Sequence, residues 1–259
     1  MTDVLAAEWL KLRTVRSTAT VLAVVALAVA GCCLLARYAA GLWDGTDATG
    51  RAHLSVTPLE PLVMVVAQVS LGVLGALAIT TEYATGMIRT TVTAVPGRSR
   101  VLCAKALIVG AVALATGLAA VFATSYGTLA IVGDRPIRFL TDPAAHTTGL
   151  LLAQSLAVAM TGLLGFGLGA LLRSTAGAVV CVVGLLYVVP MFAQALPTPW
   201  DRRFNSLMPG ALPGELAGAG NAHSVYGASL SPVAAAVVML LYAAVPLGLA
   251  AVRTRRQDV

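Results

Sequence analysis

The sequence predicts an all-α integral membrane protein of six transmembrane helices, with both termini on the cytoplasmic side. Three observations carry this. First, the composition is too apolar for a soluble domain: 58% of residues are hydrophobic and 11% charged, with a mean hydropathy of +0.88. Soluble domains run at roughly 45–50% apolar and about 25% charged. Second, the apolar residues fall into six nearly charge-free runs, each long enough to cross ~30 Å of hydrocarbon at about 1.5 Å per residue. Third, those runs are Ala-, Val- and Leu-rich with only 5% aromatics in the chain, which suits close-packed helices rather than a barrel.

Taken in order, residues 1–17 read as a short amphipathic helix. Leu5, Trp9 and Leu12 form one apolar stripe, Glu8 and Lys11 lie elsewhere on the wheel, and Arg13 and Arg16 close it. A basic helix with a Trp on its apolar side suits a membrane interface. Span one covers residues 18–36. The Val29-Ala30-Gly31-Cys32 run inside it is like a lipoprotein cleavage site, but further spans follow where a soluble domain should.

Residues 37–60 form an external loop. Residues 61–81 are span two, with Gln68 as its strongly polar side chain and Gly72 and Gly75 as close-packing sites. Span three, residues 106–132, is long enough to tilt or to begin before the bilayer proper. After a second external loop, span four (147–172) contains the GxxxG pair Gly165/Gly169, which admits another helix without naming it. Span five (175–196) has Pro190 near its outer end, a predicted kink. Residues 197–231 form a Pro- and Gly-rich external segment expected to hold short helices dipping into the outer leaflet. Span six is 232–252, and 1–259 is a single transmembrane domain.

Charge sets the orientation. With the N-terminus inside, 11 of the 17 Lys and Arg residues fall on the cytoplasmic side and 7 of the 11 acidic residues outside. The net charge of +6 is therefore an orientation signal and not a sign of nucleic-acid binding.

Several chemistries are missing from the sequence. No span has a charge at its middle, where an ion-coupled carrier would need one. There is no HExxH, and no GxxxxGK[ST] phosphate loop. The four cysteines (Cys32, Cys33, Cys103, Cys181) have neither zinc nor disulfide spacing. No catalytic, cofactor or metal site is expected in this chain, and energy for transport must come from elsewhere.

The polar interruption between spans two and three, residues 80–105, has a helical pattern of its own. Ile88, Val92 and Val95 share a face with Met87, Thr91 and Ala94 beside them, Arg89 faces away, and Pro96-Gly97 ends the helix. Together with the start of the chain, it resembles the permease subunit of ABC-2 type ABC transporters in the form common among actinobacteria. The matching features are Glu82, Gly86, the short helix 87–95, Pro96, Arg98 and Arg100, and the N-terminal Glu8, Trp9, Lys11, Leu12, Arg13 and Thr14.

That resemblance implies an interfacial elbow helix at residues 1–17 (Leu5, Trp9, Leu12, Lys11, Arg13). It also implies a cytoplasmic coupling helix at 82–95 that docks on a separate ABC ATPase through Glu82, Gly86, Met87, Ile88, Arg89, Val92 and Val95, braced by Arg98 and Arg100. ATP and Mg would bind the ATPase and not this chain. Two permease chains, as homodimer or heterodimer, would work with two ATPases in a bacterial cytoplasmic membrane. In such permeases spans two and five tend to line the pathway, which points to Gln68 and Pro190. The mostly apolar spans suggest export of a hydrophobic or amphipathic substrate. The alternatives are a non-transporting membrane scaffold or sensor and an ion-coupled carrier; an adjacent ATPase gene would argue against both.

Overall fold

The computed structural model describes residues 2–86, 98–138, 140–143, 145–218 and 230–256. It is 82% helical, with no β-strand among the described residues and six helices long and apolar enough to cross a membrane. The predicted all-α architecture with six membrane-length helices is observed.

Helix α1 (Thr2–Thr14) is separated from α2 (Arg16–Gly45) by one extended residue, Val15. This break allows α1 to turn aside from the long helix. α2 has no breaker at the end of its charge-free stretch and continues past Ala36 to Gly45. Asp47 then caps the short α3 (Ala48–His53), accepting from the Gly50 amide at 3.0 Å. Helix α4 (Glu60–Ala84) begins with Pro61 in its first turn, where the missing N–H is no loss. It ends at Gly86, whose φ of +69° is a left-handed conformation that glycine adopts without strain.

Helix α5 (Arg98–Val132) has 35 residues, about 50 Å at 1.5 Å per residue. It starts eight residues before the third apolar span and must extend beyond the hydrocarbon. Helix α6 (Thr148–Leu172) reaches α7 (Thr175–Gln194) through a tight turn, with Arg173 at φ +53° and Ser174 capping the Gly177 amide at 3.2 Å. Within α7, residues Gly184–Val188 form a π-helical turn directly ahead of Pro190. The proline has no N–H and its ring crowds the carbonyl four residues back, and a widened turn relieves both. The expected kink is thus a π-turn. Helices α8 (Trp200–Leu207) and α9 (Leu212–Leu216) occupy the segment before α10 (Pro232–Arg256).

α4 and α6 are the central pair. In α6, 67% of the membrane-length window is buried, and in α4 56%, against 22% in α2. Glycines set how closely they approach. A Cβ on Gly165 would fall 2.0 Å from the Gly72 carbonyl oxygen, and one on Gly75 would fall 2.1 Å from that of Gly162. The GxxxG face is therefore occupied by α4 of the same chain. Gly167, on another face, admits Pro246 of α10. Val63, Ala67, Leu71 and Leu74 of α4 lie in the largest apolar core with residues from α2, α5 and α6.

α1 and the last turns of α10 lie at one end of the bundle. There Arg173 stacks over Tyr83 at 5.0 Å, and Arg253 of α10 donates to the Leu171 carbonyl. At the opposite end the two loops before and after the α4 and α5 spans meet. Arg135 holds Asp44 through two 2.9 Å bonds, and the Val56 amide donates to Arg138 O at 3.3 Å.

Candidate functional site

At the terminal end, four charged side chains from three elements converge. Glu82 is in the last turn of α4, Lys105 in the second turn of α5, and Glu8 and Lys11 lie three apart on α1, hence on one face. Lys105 Nζ donates to Glu82 Oε1 at 2.7 Å and to Glu8 Oε2. Lys11 Nζ reaches Glu8 Oε1 at 3.1 Å and Glu82 Oε1 at 3.2 Å. Glu8, Glu82 and Lys105 are all buried, while Lys11 keeps 40% of its side chain exposed.

Two acids and two bases give a neutral cluster, which makes its burial tolerable. Each charge has a partner of opposite sign, and removing one strands another in a poorly solvating environment. For Lys11, burial works against the charge, but hydrogen bonding and attraction from Glu8 and Glu82 outweigh it and raise its pKa. Among the described residues no metal-ligand set is formed here or elsewhere. The cluster's capacity is mechanical: it ties α1 to the two ends of the α4–α5 connection. Beside it is a cavity of about 170 Å³, walled by Leu12, Leu74, Leu77 and Val109.

The residues singled out from sequence fall into three groups. Lys11 and Glu82 are brought together in the cluster. On α1 Glu8 is buried, whereas Trp9 is 52% exposed and Arg13 is exposed; Leu5 is half-buried and Leu12 packs against the core. Met87, Ile88, Arg89, Val92 and Val95 lie outside the described residues, as does the helix expected there. Arg98 and Arg100 are placed only as the first turn of α5. Gln68 is buried within the bundle at 1% exposure, with Nε2 unpaired, and Pro190 is buried in α7. Neither borders the cavity beside the cluster.

Sequence reasoning missed the roles of Glu8 and Lys105. The available signal was that these two charges flank apolar runs with opposite signs, but their separation of 97 residues hides the pairing.

A second buried polar group lies at the opposite end. Glu60, the first residue of α4, is 2% exposed, and its Oε1 is 3.2 Å from His146 Nδ1. Ser125 Oγ of α5 is 2.6 Å from the same nitrogen, and His146 Nε2 faces the Leu140 carbonyl at 2.8 Å. Ser, His and Glu are hydrolase residue types, but the arrangement is not a relay. Such a relay needs the hydroxyl and the carboxylate on opposite ring nitrogens, and here both approach Nδ1 while Ser125 is wholly buried. Hydrogen bonding to Glu60 raises the His146 pKa. Burial opposes that rise, and the Leu140 carbonyl and the charges of Glu60 and Asp142 add to it.

Comparison with known families gives a match. The family model described as "ABC-2 family transporter protein" matches residues 4–191. This range contains most of α1, the four-charge cluster, the α4–α5 connection and most of α7. No curated protein matches.

Proposed function

The chain belongs to the ABC-2 family of transporter proteins, and from that premise we propose that it is the permease subunit of an ATP-driven exporter. As a multi-pass membrane component of such a transporter, it is expected to associate with an ABC ATPase that hydrolyses ATP on a separate chain. The proposed orientation puts both termini and the four-charge cluster in the cytoplasm of a bacterial cell, following the excess of Lys and Arg at that end. Because α4 runs on to Ala84 and closes at Gly86, the proposed coupling helix is narrowed from residues 82–95 to 87–95, seated in a cleft of the ATPase by Met87, Ile88 and Val92, with Arg98 and Arg100 at the start of α5. Two permease chains and two ATPases make the working unit, and the substrate is hydrophobic or amphipathic.

The observation that supports this reading best is the tie between Glu82 and Lys105 at 2.7 Å. These residues bracket the proposed coupling helix. A push on it is transmitted to both α4 and α5, and through Glu8 and Lys11 to α1, instead of being absorbed in a loose loop. The direct test is Ile88→Asp. The expected outcome is normal membrane insertion with loss of ATPase co-purification and of ATP-dependent efflux from vesicles. Co-purification at the wild-type yield would overturn the docking assignment.

A further inference from the structure

The Glu60–His146 pair has no part in the proposed transmission of force, and its geometry favours a bound proton. Nε2 of His146 faces a carbonyl oxygen at 2.8 Å, which only accepts, so Nε2 carries a hydrogen. In a neutral imidazole Nδ1 is then a bare acceptor. A bare acceptor suits Ser125 Oγ–H at 2.6 Å but sets a lone pair 3.2 Å from a buried carboxylate oxygen. In that state Glu60 Oε1 has no donor facing it. A proton on Nδ1 turns the repulsion into an ion pair and supplies the buried carboxylate with its counter-charge.

We propose that Glu60 and His146 form a proton-binding site, and that proton occupancy fastens the 133–147 connection to the head of α4. Its placement on the external face rests on the orientation proposed above. The two groups hold one proton in common. The other titratable groups facing them are Asp142 on the same connection, which favours the protonated state, and Cys32 of α2, which faces Glu60. α5 presents the non-titrating hydroxyl of Ser125. When the proton leaves, Glu60 is left charged and buried without a counter-charge, and the contact between the connection and α4 weakens. Because α4 is one continuous helix from Glu60 to Ala84, the acidity of one compartment acts on the helix whose other end is tied to α1 and α5. The ligand is the proton itself, and the site is fully assembled from this chain's residues.

The test is a titration of the full-length chain containing [13Cε1]histidine, followed by NMR. The His146 resonance is identified by its loss in His146→Gln. It is expected to titrate above the ordinary value of about 6.5, and in Glu60→Gln to fall to that value or below. A wild-type resonance at or below about 6.5 overturns the proposal, and so does one that Glu60→Gln leaves unmoved. If Glu60→Gln does not fold, the wild-type titration still decides. A second arm reconstitutes the permease with its ATPase and varies pH on each face separately. Turnover is expected to follow the pH of the face opposite the ATPase in the wild type and not in His146→Gln. A response only to pH on the ATPase face overturns the orientation and leaves the proton site standing. A flat response on both faces overturns the effect on transport.

Discussion

Helix α4 has a buried glutamate at each end, and the two are neutralised by different means. Glu82 faces two lysines, Lys11 and Lys105, at 3.2 and 2.7 Å. Glu60 faces a single histidine at 3.2 Å. Lys11 and Lys105 come from two other helices, so the Glu82 end is a tie between three helices. Histidine changes charge close to neutrality, so the Glu60 end is a conditional one. The difference suits the roles proposed for them: one end transmits a mechanical load on every cycle, and the other responds to the medium. Between them α4 is pinned to α6 by the glycine crossing at Gly72, Gly75, Gly162 and Gly165. A change at either end therefore acts on a braced helix.

The comparison is broken most directly at the lysine end. Lys105→Met leaves Glu8 and Glu82 sharing only Lys11. Stranding a buried charge typically costs about 3–5 kcal/mol, to be measured as loss of stability in detergent. Glu82→Leu combined with Lys105→Met removes one acid and one base and leaves Glu8 with Lys11. This pair of changes is expected to restore most of the loss. A double variant as unstable as the single one would show that the cluster is not what holds these helices.

A smaller, pH-dependent effect should separate the two ends within one molecule. The folded pKa of His146 is raised above its unfolded value of about 6.5. Its contribution to stability is therefore complete below that value and is lost as pH climbs through the folded pKa. In hydrogen exchange corrected for intrinsic rates, protection at residues 140–147 should fall over this window. Protection in α1 around Lys11, whose pKa is raised from an already high value, should hold. Equal loss at both ends would remove the distinction.

The smallest effect is expected from the exposed ion pair between Asp44 and Arg135. It has good geometry at 2.9 Å, but water solvates both groups. Asp44→Asn should leave the melting temperature unchanged within error. A clear drop would mean that surface tethers, and not only buried pairs, hold the loop end together.

Much of the fold was legible because hydrocarbon imposes a length and a polarity on every crossing segment. Each run of some twenty apolar residues is read locally, as are the Pro190 perturbation and the turn at Arg173–Ser174. The polar interruption between the second and third spans is also read locally, but the helix expected within it lies outside the described residues. The site itself was only half visible. Glu8, Lys11 and Glu82 were marked by motif, but nothing local related them to one another or to Lys105, and no motif marked Glu60 or His146.

By itself, the sequence determined the number of spans, the polar stretch between the second and third, and the excess of basic residues at one end. Each of these follows from how a short segment partitions between water and lipid, which depends on that segment alone. The tertiary structure decided which charges meet. Lys105 lies 97 residues from Glu8 and 23 from Glu82, and no local spacing relates them. Their pairing follows from α4 packing on α6 through facing glycines, from α5 beside them, and from the break at Val15 that directs α1 to the foot of both. Burial then gives the arrangement its energy: a charge that water would screen must, inside the bundle, find its opposite.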